Sequence, residues 1–427
     1  MRALGTVIWQ IACDSVAGWD QQLIWKAHFF DKGDSPMTIC FRLTPIVLLT
    51  CCVAQEKAPI GRLDPEMAVA RTAVAETAAA KKVADEAATD GLDWHDVSTW
   101  GVEGRILPSA KRLRWFDRLP ADAEGKVTKA VWSLSRHSAG MMVRFRTDAT
   151  AIHVHYKLLK GSLAMSHMPA TGVSGVDLYA RDDSGAWRWV QVARPASQEV
   201  KVQLIRGLAP GVREYAAYLP LYNGAEFLHI GVPTGSSFEG LAPRQQPIVF
   251  YGTSITHGAC ASRPGMVHTA ILGRRFDCPV VNLGFSGNGR MHQEVGDFLT
   301  QVDAAAYVID CLPNMNAAMV QQRCVPLIKQ LREKKPDTPI ILVEDRRNTN
   351  SWILPARDAH HSANHAALRK AFERLQADGI GNLYYIEGDA LYGTDGDGAT
   401  DGSHASDLGF YRQADVFEPV LRQALNR

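Results

Sequence analysis

The 427-residue chain is 46% hydrophobic, 21% charged and 8% aromatic, a balance that excludes a disordered, collagen-like or many-span membrane protein. Lys and Arg number 46 against 45 Asp and Glu, so no basic excess points to nucleic acid as a partner. The length suits two or three domains.

Near the N-terminus, Leu43 to Ala54 (LTPIVLLTCCVA) is strongly apolar. It is too short to span a bilayer, which takes about 20 residues, but it fits the apolar region of a signal peptide. Translation from Met37 would place Arg42 ahead of that run and Cys52-Val53-Ala54 at a small-residue cleavage site before Gln55. Residues 1–54 are therefore expected to be a misassigned start plus a signal peptide, with an exported product that is periplasmic, cell-surface or secreted. Lipoprotein anchoring through Cys51 or Cys52 competes, with Thr50 in place of the expected small residue. A short buried helix is the bland alternative. Residues 55–92 are Ala-rich, and the apolar face of Pro65 to Ala88 is almost all alanine, so they read as a linker or loosely held helix.

Residues 93–245 change to short β-like runs between Gly, Pro, Asp and Ser. Met141–Arg146 and Ala151–Tyr156 alternate apolar and polar, and Val176–Ala180, Trp187–Val192 and Glu226–Ile230 continue the series. Such spacing without helices predicts an all-β sandwich, jelly-roll-like. Trp187 and Trp189 share a face and are expected to pack in the core or at an edge.

Residues 246–427 alternate buried strands with helices. Strands are predicted at Pro247–Tyr251, Val280–Phe285, Ala306–Leu312, Pro339–Glu344 and Asn382–Glu387, and helices at His268–Phe276, Gln293–Gln301, Met319–Lys334, Ala359–Asp378 and Leu408–Ala424. This predicts an α/β fold with a five-stranded parallel sheet, whose site lies beyond the C-terminal strand ends. The first strand ends in Gly252-Thr253-Ser254, the second in Asn282 to Gly289 with Gly287 on the turn, and the third in Asp310 to Asn316 with two Asn side chains. The last loop carries Asp401-Gly402-Ser403-His404, an acid and an imidazole three residues apart, as acid–base chemistry at a serine needs.

These four blocks, in this order at these strand ends, resemble the SGNH (GDSL-like) hydrolase superfamily over residues 246–427. The preceding β-sandwich is similar to that of two-domain carbohydrate acetylesterases. The resemblance implies a three-layer α/β/α hydrolase with Ser254 as nucleophile, His404 as general base and Asp401 orienting it. It implies an oxyanion hole from the N–H of Ser254, the N–H of Gly287 and the amide of Asn314, with no metal or other cofactor. Two positions depart from the family pattern. Thr253 replaces the usual Asp, and Leu312-Pro313-Asn314-Met315 replaces Gly-x-Asn-Asp, which makes Asn316 a substitute candidate. The implied activity is serine esterase hydrolysis of an acylated small molecule or polysaccharide, an O-acetylated carbohydrate above all. The alternatives are a lipid or lysophospholipid esterase and a non-catalytic glycan-binding protein on a hydrolase scaffold.

Several other residues have plainer readings. His257, one turn after Ser254, is expected to point beside the nucleophile. His361 and His365 read as a surface pair, Asp395 and Asp397 as a solvated loop, and Arg263 and Arg290 as surface charge. Ser135–Gly140 gets no role, and His167–Gly172 is expected to border the site. Cys260, Cys278, Cys311 and Cys324 permit one or two disulfides.

Overall fold

The computed structural model describes residues 7–12, 24–29, 37–41 and 91–426. In a first compact unit, Met1–Lys82, strands β1 (Val7–Ala12), β2 (Ile24–Phe29) and β3 (Met37–Phe41) form an antiparallel sheet in that order. The apolar run 43–54 and the Ala-rich stretch up to residue 90 lie outside the described residues.

The second unit, Val83–Arg427, begins with two antiparallel sheets. One contains β4 (Leu92–Asp96), β6 (Ala151–Leu158), β9 (Glu199–Arg206) and β11 (Ala225–Pro233). The other contains β5 (Met142–Thr147), β7 (Asp177–Arg181), β8 (Trp187–Val192), β10 (Arg213–Tyr218) and β12 (Phe238–Leu241). Alternate residues such as Val143 and Phe145, or Ile152, Val154 and Tyr156, face one shared core. The apolar pattern does not mark β4, β9, β10 and β12, nor two helices, α1 (Lys129–Ser135) and α2 (Ala170–Val173). Strand β9 (EVKVQLIR) also alternates, but the charges on its outward face dilute the apolar signal of a strand.

The remaining residues form a five-stranded parallel sheet: β13 (Ile248–Gly252), β14 (Val280–Gly284), β15 (Ala306–Asp310), β16 (Ile340–Val343) and β17 (Leu383–Ile386), ordered β14-β13-β15-β16-β17. The first three strands are buried at every position because helices cover both faces, so their sequences read as continuous apolar runs. On one face lie α5 (Gln293–Leu299), α6 (Ala317–Lys334) and α7 (Pro355–Ala377), together with Ile106, Leu119 and Val131 from the N-terminal part. The other face carries α4 (His268–Arg275) and α8 (Asp407–Leu425). The chain leaves β13 for β14 on one side and then crosses to β15 on the other. That reversal opens the crevice in which α/β sheets place their ligands.

Arg118 joins the two halves. It is fully buried, and its Nη1 donates to the carbonyls of Asn282 (2.8 Å) and Gly284 (2.9 Å) on the outer edge of β14. Its Nε and Nη2 donate to His137 O (2.9 Å) and Leu134 O (2.7 Å), so the Ser135–Gly140 segment is the joint between the halves. Gly140 lies at φ +77°, and a Cβ there would come within 2.4 Å of Asn282 Cβ. Burial pushes the Arg118 guanidinium down to about 9, which keeps it protonated at neutral pH. Arg118→Ala should therefore lower stability by about 3 kcal/mol, because four carbonyls lose their donor at once. Denaturant unfolding measures this, and a loss below about 1 kcal/mol would show that the joint does not depend on Arg118.

Candidate active site

Strand β13 is followed by Thr253, whose hydroxyl accepts the Ile255 N–H (3.3 Å) and so starts a single helical turn, α3 (Ser254–His257). Here threonine supplies the cap that an aspartate could also provide, so the departure at this position preserves the turn. Gly258, left-handed at φ +108°, ends the turn. Ser254 is buried, with its carbonyl accepting the Tyr222 hydroxyl (3.3 Å), and the Tyr222 ring stacks on His257 at 4.1 Å. The turn carrying Ser254 is thus braced by a residue of the N-terminal half.

His404 Nε2 lies 2.8 Å from Ser254 Oγ, and His404 Nδ1 lies 2.8 Å from Asp401 Oδ2. Asp401 Oδ1 accepts the N–H groups of Ser403 (3.0 Å) and His404 (2.7 Å). Burial opposes ionisation of Asp401, but these N–H groups and the imidazole outweigh it and hold the carboxyl at about 2. An ionised Asp401 fixes the proton on Nδ1 and leaves Nε2 to accept the serine proton. His257 is elsewhere: fully buried, its Nε2 meets Leu221 O at 2.8 Å and His137 Nδ1 at 3.2 Å. Burial holds both rings in the neutral form, with His137 down at about 2.

Gly287 lies on the turn after β14 at φ +69°, and a Cβ there would face open space. Asn314, in a 3-10 turn at Leu312–Asn314, accepts the Gly289 N–H on its Oδ1 (3.3 Å), which leaves its NH2 group available as a donor. Asn316 is committed differently, as its side chain caps α6 by accepting the Met319 N–H (2.9 Å). Of the two asparagines, Asn316 is therefore tied to a helix and Asn314 to the turn that follows β14. A cleft of about 350 Å³ adjoins this constellation, lined by Ile255, Pro313 and Ser403, the neighbours of Ser254, Asn314 and His404. Its other walls are mainly polar: Asp345, Arg346, Asn348, Arg357, His360 and His361.

The N-terminal half closes the opposite side. The exposed His167 ring lies 5.9 Å from the His404 ring, and Thr171 Oγ1 donates to Ser262 O (2.6 Å), so the segment His167–Gly172 borders the site. Arg263 is not free surface charge. It pairs with the buried Asp177 (3.1 Å) and lies 5.0 Å over Trp189, and Asp177 also accepts the Gly265 N–H (2.8 Å). Trp187 and Trp189 pack at the edge of their sheet on β8, with the exposed Trp189 donating to Asp177 (2.9 Å). Tyr222, Arg118 and Asp177 escaped the sequence reading, since each acts on residues distant in the chain.

His361 and His365 also depart from expectation, for both are buried on α7. His361 Nδ1 meets Asp345 Oδ2 at 2.6 Å, and His365 Nε2 meets Asp345 Oδ1 at 2.7 Å. The Asn348 N–H donates to His361 Nε2 (3.2 Å), which fixes the proton on Nδ1, so Asp345 is held by hydrogen bonds from both rings. Cys260, Cys311 and Cys324 are buried free thiols. Asp395 pairs with Arg412 at 2.6 Å.

Residues 245–422 match the sequence profile of the GDSL-like lipase/acylhydrolase family, and residues 92–238 match the N-terminal domain of SGNH-hydrolase-type esterases. A GDSL-like lipase from Bacteroides ovatus shares 30% identity with a TM-score of 0.74, over 78% of this chain and 98% of that one. The salicylyl-acyltransferase SsfX3 of a tetracycline biosynthetic pathway (18%, TM-score 0.60, 78% and 95%) shares the fold. So does a family two carbohydrate esterase from Cellvibrio japonicus (12%, TM-score 0.51, 78% and 98%). No curated protein matches the chain.

The buried histidine network has a pH signature. Burial opposes protonation of His365, but Asp345 and Glu344 outweigh it and raise its pKa; burial opposes ionisation of Asp345, but the two imidazoles outweigh it and lower its pKa. Arg369 and Tyr385 face Glu344 from the other side. The raised imidazole stabilises the fold below its unfolded value and that contribution fades as pH rises through the folded one. The lowered carboxyl stabilises above its unfolded value and fades as pH falls through the folded one. Stability should thus be highest between about pH 4 and 6.5, the ordinary carboxylate and imidazole values. His365→Ala should flatten the decline on the alkaline side, as read from Tm against pH.

Proposed function

We propose, since the chain belongs to the GDSL-like lipase/acylhydrolase family, that this esterase removes acetyl groups from an O-acetylated carbohydrate through an acyl-enzyme on Ser254. The observation that carries the reading is the chain of two 2.8 Å contacts, Ser254 to His404 to Asp401, next to a polar cleft that Ile255 and Ser403 line. A cleft walled by Asn, Arg and His side chains suits the hydroxyls of a sugar better than a long acyl chain.

In the first step, Ser254 Oγ attacks the ester carbonyl carbon while His404 Nε2 takes the serine proton. Asp401 stabilises the resulting imidazolium. The N–H groups of Ser254 and Gly287 and the Asn314 amide receive the negative oxygen. As the tetrahedral intermediate collapses, the alcohol oxygen leaves with the proton from His404. Water then attacks the acyl-serine, with the same imidazole accepting and returning a proton. Acetate is released and Ser254 is regenerated.

The same reading gives the chain two working parts, a β-sandwich over residues 93–245 and the hydrolase over 246–427, in a product that is exported. Among the described residues no helix is long and apolar enough to cross a membrane.

Two substitutions separate the candidate asparagines. Asn314→Ala should lower kcat on 4-nitrophenyl acetate by about 10²- to 10³-fold with the fold intact. Asn316→Ala should instead cost about 1 kcal/mol of stability through the lost cap and leave kcat unchanged. Ser254→Ala should lower kcat by at least about 10⁴-fold at unchanged Tm. Equal hydrolysis by Ser254→Ala and wild type would overturn the mechanism.

A further inference from the structure

The segment between β16 and α7 separates two clefts. On one side is the polar cleft against Ser254 and His404; on the other is a larger one of about 500 Å³, and Asn348 lines both. Trp352 borders the larger cleft and is 84% exposed, the most exposed large apolar side chain among the described residues. It is nevertheless held on a fixed backbone. Ser351–Ile353 is a 3-10 turn closed by Ser351 N–H to Asn348 O (2.8 Å) and Leu354 N–H to Ser351 O (3.0 Å). Thr349 N–H donates to Gly402 O (2.9 Å), which ties the segment to the loop bearing Asp401 and His404. The same cleft is lined by Arg347 and Asp389, paired with each other (2.7 Å), and by Asp395, which pairs with Arg412 (2.6 Å).

A solvent-facing indole carried on a hydrogen-bonded turn, in a cleft shared with carboxylates and a guanidinium group, matches one chemistry well. A sugar ring offers a C–H face for the aromatic ring and a rim of hydroxyls for the polar groups. We infer that the substrate is an oligomer of sugars, with the acylated unit in the cleft at Ser254 and a neighbouring unit stacked on Trp352. This rests on the esterase reading above and names the extended form of its substrate. Ile353 and Leu354 are exposed as well, but neither lines the larger cleft, whereas Arg347, Asp358, Asp389 and Asp395 do, and their charges suit hydroxyls and not acyl chains.

The test compares wild type, Trp352→Ala and Trp352→Phe on chemically O-acetylated gluco-, xylo- and manno-oligosaccharides of increasing length, with 4-nitrophenyl acetate as the short control. In at least one series, wild-type KM should fall about tenfold as sugars are added, equivalent to about 1.4 kcal/mol. Trp352→Ala should lose that fall, Trp352→Phe should keep most of it, and all three should hydrolyse 4-nitrophenyl acetate equally. A KM independent of length in every series, or a Trp352→Ala profile identical to wild type, would overturn the inference. So would loss of binding to phosphatidylcholine vesicles with length dependence unchanged, which would assign Trp352 to a lipid surface. Lack of Ser254-dependent hydrolysis of 4-nitrophenyl acetate would strike the underlying esterase reading instead.

Discussion

A positive charge is buried in this protein where none of the described carboxylates meets it. The Arg118 guanidinium uses four of its five N–H groups on backbone carbonyls, two on the edge of β14 and two in the segment approaching it from the sandwich. Backbone carbonyls on the outer edge of a sheet would otherwise need water or another strand. Here they receive a side chain from the other half of the molecule. The turn bearing Gly287 begins directly after those carbonyls, so its position depends on the same contact.

The two halves therefore make one site. The hydrolase sheet supplies the turn with Ser254, the Gly287 and Asn314 turns, and the loop with Asp401 and His404. The sandwich supplies Tyr222 against the Ser254 carbonyl, His167 beside His404, and Asp177 holding Arg263 and Gly265. A sheet reversal at β13 creates the crevice, and the sandwich gives it a second wall.

The parts legible in the sequence are those whose chemistry sits on contiguous residues. Buried strands read as unbroken apolar runs, and each of the four blocks at their ends carries its own turn residues and polar group. The choice between Asn314 and Asn316 was not legible, because it depends on which one the Gly289 N–H reaches and which one caps a helix. Arg118 gave no signal, as its acceptors are backbone atoms 164 and 166 residues away that any sequence would offer. His361 and His365 looked like surface because their i,i+4 spacing also suits an exposed helix face. Asp345, the residue that buries them, comes from a strand end 16 and 20 residues earlier. The missed strand β9 shows the same limit, since a strand with one solvated face carries many charges.

The contact between Arg118 and β14 also sets an order of assembly during synthesis. Arg118 leaves the ribosome 166 residues before Gly284, an interval on the order of ten to thirty seconds at 5–20 residues per second. Throughout it, the sandwich carries an unburied guanidinium where its joint will form. The nascent N-terminal half can collapse on its own core, but its final packing waits for the second parallel strand. This is a long-range closure of the kind that slows folding. The crevice is completed later still, when the loop of Asp401 and His404 arrives just before the last helix, so the chain is nearly finished before its hydroxyl and imidazole can meet.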